Sequence, residues 1–165
     1  MGFRISGDDS LSDELIRKKM DLFAYFFIIA QRMQYVTDQV FQRDGLTTKQ
    51  WLVSLAIEQG FEYAPSLSEV ADMLSSSHQN IRQIANLLEK KGFLEYFKDL
   101  NDRRVLRLKT TEKSKEYYES KSHEHQGYVL KIFEGFSEEE TSDFHEHIMN
   151  LYKYLDPIYD EFRNS

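Results

Sequence analysis

The sequence predicts a mainly α chain with one small β-ribbon, and three observations carry that prediction. Between Leu67 and Thr111, two short helical patterns are joined by a serine turn. Two strand-like runs around a charged tip follow directly, which is the layout of a winged helix-turn-helix core with a β-ribbon wing. On each side of that stretch lies a strongly apolar helical pattern, read here as N- and C-terminal dimerisation helices. The expected division is 1–45 for an N-terminal dimerisation helix, 46–111 for the winged helix-turn-helix lobe and 112–165 for C-terminal dimerisation helices.

Residues up to about Ser10 are expected to be loose. A long helix is predicted from around Ser12 to Arg43. Its centre, Leu22 to Ala30, is apolar on every face, yet nine residues fall far short of the roughly 20 that cross a bilayer. A helix that is apolar all round is buried all round. In a chain this small, either a partner subunit covers one side or the helix is the core of a monomer. Asp44-Gly45 ends it. Thr47 and Gln50 have the spacing of a capping box, and Trp51, Leu52, Leu55, Ala56 and Ile57 are the expected buried side of the next helix. Gly60 to Pro65 reads as a loop.

Ser66 and Glu69 form a second capping box, followed by Leu67, Val70, Ala71 and Leu74 at helical spacing. Ser75 and Ser76 break that run, because serine hydroxyls compete for backbone hydrogen bonds. A second helix starts near Ser76 or Ser77 and ends at Lys91, with Gly92 as its stop. Its buried stripe is Ile81, Ile84, Ala85 and Leu88. Gln79, Arg82, Gln83, Asn86 and Lys90 project the other way at about 100° per residue. His78 and Asn80 flank the first turn, next to Ser77. Amides can bond adenine in two places, and arginine can do the same for guanine, so this face suits double-stranded DNA. An ordinary solvated helix face would more often carry Glu–Lys pairs.

Phe93, Leu94, Tyr96 and Phe97 give a first strand; Val105, Leu106 and Leu108 belong to the return strand. The tip from Asp99 to Arg104 is rich in Asp and Asn, as hairpin loops are. It puts Arg103 and Arg104 where they could meet phosphate or a narrow minor groove. Glu112 to about Glu134 reads as one helix, ended at Gly135-Phe136. Ser137 and Glu140 form a third capping box. In the last helix Phe144, Ile148, Leu151, Leu155, Ile158 and Phe162 alternate four and three apart, as in a helix–helix seam. Pro157 is expected to kink it or to start a short final helix.

Composition bounds the reading. The chain has 165 residues, no cysteine and a net charge of −7. Disulfides, thiol redox sensing and thiolate zinc sites are excluded. No secretory signal pattern appears, and Met1-Gly2 with Ser6 fits the loose myristoylation pattern only by chance. From Ser66 to Thr111 the net charge is +2, which leaves −9 for the rest of the chain. An acidic body with a basic reading head weakens non-specific attachment while keeping local phosphate contacts. No Gly-rich phosphate loop, nucleophile elbow or HExxH is present, so catalysis is not expected.

With these residues in view, the chain resembles the MarR family of bacterial and archaeal transcription regulators. NLLEKKGFLEY resembles the end of the family's recognition helix and its first wing strand. DLNDRRVLRLKTTEKSKEYYE resembles its wing, which typically shows Asp-Pro-x-Asp-x-Arg and then a Leu-Thr pair opening the next helix. Asp99, Asp102, Arg104 and Thr111 match; Leu100 stands in place of the proline and Thr110 in place of the leucine. The resemblance implies a cytoplasmic homodimer that binds a pseudo-palindromic DNA operator, most often a repressor, with no membrane association. The site expected for DNA is Ser77, His78, Gln79, Asn80, Arg82, Gln83, Asn86, Arg103 and Arg104. It also implies a possible small aromatic effector, for which Phe23, Tyr25, Phe26, Phe27, Tyr35 and Trp51 are candidate lining residues or ordinary core. Zinc-sensing relatives draw attention to His123, His125, His145 and His147. Residues two apart on a helix point roughly 200° apart, so neither pair chelates by itself. No metal or cofactor is expected. The alternative to a regulator is a winged-helix protein-interaction module that does not bind DNA.

Overall fold

Helix α1, Leu11–Phe41, opens the computed structural model, which describes residues 11–163. The expectation for the first ten residues lies outside the described residues. The chain divides between Ser114 and Lys115 into two units. In the first, α1 passes into a 3-10 turn, Gln42–Asp44, and stops at Gly45, whose φ is 70°. Gly45 N–H donates to the Gln42 carbonyl and Leu46 N–H to that of Phe41, each at 3.0 Å. This pair of bonds is a Schellman motif, and it satisfies carbonyls that the helix end would leave orphaned. The chain reverses there and drives Leu46 fully into the core.

Helix α2 spans Thr48–Gln59. The capping box expected at its start is only half formed. Thr47 Oγ1 accepts from Gln50 N–H at 3.2 Å, but Gln50 Oε1 is buried without a hydrogen-bond partner. Gln50 is drawn into the core instead of reaching back, and the Asp38 carboxylate of α1 caps Thr48 N–H at 2.7 Å. The buried side of α2 also differs from expectation. Ala56 and Ile57 are buried, but so are Val53 and Ser54, while Trp51 and Leu55 are half-buried and Leu52 is exposed. The reason is that α2 packs against both helices of the helix-turn-helix and against the wing, so more than one face is covered.

Helix α3, Leu67–Met73, has the complete capping box expected from Ser66 and Glu69, with Glu69 Oε2 accepting from Ser66 N–H at 2.7 Å. Helix α4, His78–Lys90, buries Ile81, Ile84, Ala85 and Leu88, as its periodicity predicted. It ends in a second Schellman motif: Gly92 has φ 75°, its N–H donates to Glu89, and Phe93 N–H donates to Leu88. Strands β1, Leu94–Lys98, and β2, Leu106–Thr110, pair antiparallel with Tyr96 opposite Leu108 and Phe97 opposite Arg107. Phe93 and Val105 fall just outside the strands. The sheet gains an extended neighbour that the sequence did not suggest: Ser66 bridges to Arg107, and Leu108 N–H donates to the Pro65 carbonyl at 2.8 Å.

Thr111 caps α5, Glu112–Ser120, through a 3.2 Å bond from Ser114 N–H, and its own hydroxyl donates to the Gly92 carbonyl. The single helix expected from Glu112 to Glu134 is interrupted. Lys121 separates α5 from α6, Ser122–Ile132. Ser120 Oγ donates to the Tyr117 carbonyl at 2.7 Å, the local competition by serine that weakens a helix interior. In the second unit, α7 spans Glu138–Arg163 behind a complete Ser137–Glu140 capping box. Pro157 lies inside α7 and starts no separate helix, although it removes one i→i−4 bond.

Among the described residues, large apolar side chains of α1 and of α7 are exposed. Phe23 is 62% exposed and Phe27 60% in the α1 centre, and Leu155 is 50% exposed on α7. Of the six seam residues, only Ile148 is less than exposed.

Candidate nucleic-acid interface

The turn between α3 and α4 sets the angle at which α4 leaves the core. Ser76 N–H donates to Ala71 and Ser75 N–H to Asp72, so a third Schellman motif closes α3. Here the left-handed position is filled by Ser75, with φ 48°, the only non-glycine residue of positive φ among the described residues. Ser77 caps α4, accepting from Asn80 N–H at 3.2 Å. Asn80 Nδ2 donates to Ser76 Oγ at 2.8 Å. Asn80 thus holds the turn, and its amide is partly buried.

On the outward side, His78, Gln79, Arg82, Gln83 and Asn86 are all exposed, as the helical spacing predicted. They are not chemically equivalent. The Tyr96 hydroxyl, from β1, donates to Asn86 Oδ1 at 2.9 Å, so Asn86 is tied to the wing. No side-chain hydrogen bond engages Gln79, Arg82 or Gln83 among the described residues.

The wing tip is built by two aspartates. Asp99 Oδ1 accepts from Asn101 N–H at 2.7 Å and from Asp102 N–H at 3.0 Å. Its other oxygen accepts from Arg107 Nε at 2.7 Å. The Asp102 amide, the Arg107 guanidinium and the Asn101 amide, in that order, hold the Asp99 carboxyl down to about 2. Asp102 in turn receives Arg104 through Nε and Nη2, each at 3.0 Å. Arg104 remains exposed but shares its charge with Asp102, whereas Arg103 is exposed and has no ion pair among the described residues.

Arg107 was missed by sequence reasoning. Its Nη1 donates to Glu69 Oε2 at 2.9 Å and to the Ala64 carbonyl at 3.3 Å, and the guanidinium lies over the Tyr63 ring. The wing tip and the start of α3 are therefore joined through one side chain. The available signal was an arginine between two leucines in a strand that returns past an aspartate.

A cavity of about 220 Å³ lies between α2, the α3–α4 turn and α4. Leu52, Val53, Leu74, Ile81 and Ile84 supply apolar lining, with Lys49 and Asn80 among its polar residues. None of the aromatic residues weighed as either effector-pocket lining or ordinary core lines this cavity. Phe23 and Phe27 instead meet edge to face on α1, and Trp51 packs on Phe41.

No family model matches the chain. The transcriptional repressor MprA of Escherichia coli K12 is 31% identical over 80 residues, 48% of this chain and 46% of MprA. The chain thus spans about half the length of the curated relative it matches. Among solved structures, the MarR protein from Peptoclostridium difficile superposes with a TM-score of 0.76 at 18% identity, over 98% of this chain and 97% of that one. The transcriptional regulator SlyA gives 0.74 at 20% identity, over 85% and 97%. Streptococcus pneumoniae FabT, solved in complex with DNA, gives 0.65 at 22% identity, over 85% and 99%. The fold that this chain adopts is that of the MarR-family transcriptional regulators.

Proposed function

We propose that the chain is a sequence-specific regulator of transcription that binds double-stranded DNA as a homodimer and acts as a repressor in the cytoplasm. One observation carries this reading. Helix α4 is anchored by four buried apolar residues and a capped, hydrogen-bonded turn, and it turns Gln79, Arg82 and Gln83 outward. These are side chains that can read base edges in a major groove. The cations of the wing tip would add phosphate or minor-groove contacts beside them. The repressor named among the relatives and the DNA complex of FabT support the same reading.

The exposed apolar residues of α1 and α7 support the homodimer, in which a second copy would cover them. No described helix is long and apolar enough to cross a membrane. Release by a small aromatic effector belongs to this reading on the family resemblance alone. The test is to capture genomic DNA fragments on the purified protein at low salt and footprint the enriched ones. A discrete pseudo-palindromic site is expected, with half-sites on the order of 10 bp apart. Absence of any preferred site would favour a protein-interaction module.

A further inference from the structure

Asn86 stands on the exposed face of α4, one turn beyond Arg82, where the sequence alone makes it an adenine reader like Gln79 and Gln83. The bidentate contact to adenine needs an amide whose oxygen and nitrogen lie side by side along the base edge. The oxygen accepts from N6, and the nitrogen donates to N7. In Asn86 the oxygen of that edge already has a partner. Its Oδ1 is turned to β1, where it accepts the Tyr96 hydroxyl at 2.9 Å. A second lone pair remains on Oδ1 in the same amide plane, so Tyr96 does not use up the acceptor; it fixes the direction of that plane, and with it what the NH₂ can meet.

We infer that Tyr96 fixes the Asn86 amide with only its NH₂ directed outward, so that Asn86 contacts hydrogen-bond acceptors on DNA and does not read adenine. This rests on the DNA-binding reading above. Tyr96 is a positioning residue for specificity, acting through Asn86. Burial lifts its phenol above the ordinary value; Glu89 adds to this and Arg82 opposes it, so the hydroxyl keeps its proton at neutral pH. The two elements so joined are the recognition helix and the wing, at a separation of ten residues in sequence. Adenine recognition is then left to Gln79 and Gln83.

Binding selection on randomised duplex DNA with the full chain tests this, using wild type, Asn86→Ala, Tyr96→Phe and the double variant. Asn86→Ala should leave adenine frequencies at every position within about twofold of wild type. Tyr96→Phe frees the amide and should enrich adenine roughly tenfold at one position of each half-site. The double variant should lose that enrichment, which a general loosening of the wing would not do. A tenfold fall in adenine at one position in Asn86→Ala would overturn the inference, as would a Tyr96→Phe preference identical to wild type. If wild type enriches no sequence, the regulator reading itself fails, and that outcome is distinct from either of these.

Discussion

Arg107 and Asp99 close the wing from within: Nε donates to Oδ2 across 2.7 Å, at the point where the hairpin tip meets its return strand. The same guanidinium reaches Glu69, the carboxylate that completes the α3 capping box. One planar side chain therefore sets both the wing tip and the first turn of the helix-turn-helix.

Replacing it should be felt at both ends. Arg107→Met is expected to destabilise the fold by about 1.5–3 kcal/mol, the range for hydrogen bonds to charged groups. Arg107→Lys should recover little, because an ammonium cannot span Asp99 and Glu69 as a fork does. Urea denaturation of both variants measures this; a lysine variant as stable as wild type would show that the fork geometry is immaterial.

Asp99 predicts an acid dependence. Its folded value, about 2, lies below the ordinary 3.8, so folding favours the carboxylate. Its contribution is fully present above the unfolded value and is lost as pH falls from about 5 toward 2. Asp99→Asn should be less stable than wild type at neutral pH. The difference should narrow through that window in thermal melts run at successive pH values.

Ser75 occupies a left-handed backbone position that glycine adopts without a Cβ penalty. Ser75→Gly should raise stability by up to about 1 kcal/mol, and Ser75→Val should lower it by more than that. Denaturant midpoints decide the matter. A destabilised glycine variant would mean that the serine side chain makes a contribution larger than its backbone strain.

Helix and wing should separate in DNA binding. Gln83→Ala is expected to change which sequences are preferred, at a cost of roughly 1–3 kcal/mol for the affected base pair. Arg103→Ala should weaken all sites together and flatten the salt dependence by about one unit of slope if it holds one phosphate. Arg104→Ala should do the same less strongly, since Arg104 is shared with Asp102. Affinities at several salt concentrations check both, and an unchanged slope for Arg103→Ala and Arg104→Ala alike would remove the wing from the interface.

Self-association should depend on α7. Leu151→Glu or Leu155→Glu, at exposed seam positions, should give monomeric or insoluble protein that no longer binds its operator. Light scattering tests it; a soluble, monomeric wild type would refute the dimer.

The sequence by itself determined the helix starts at Ser66 and Ser137, the stop at Gly92 and the buried stripe Ile81, Ile84, Ala85 and Leu88. Each depends on residues within a turn or two of one another, so spacing is enough to specify it. It also placed Gln79, Arg82 and Gln83 outward, because the face opposite a buried stripe has only one direction to point. What it could not reveal were the partners that side chains choose across the fold. Gln50 has the spacing of a capping box but is buried by neighbouring elements. Asn86 looks like Gln83 in the sequence, yet Tyr96 engages it; Arg107 meets Glu69 across 38 residues. Val53 and Ser54 are buried while Leu52 is exposed because α2 is packed on several sides, which hydropathy along one helix does not encode. Local hydrogen bonding and periodicity fix the elements, but only their packing decides which polar groups on the outward face of α4 are already occupied.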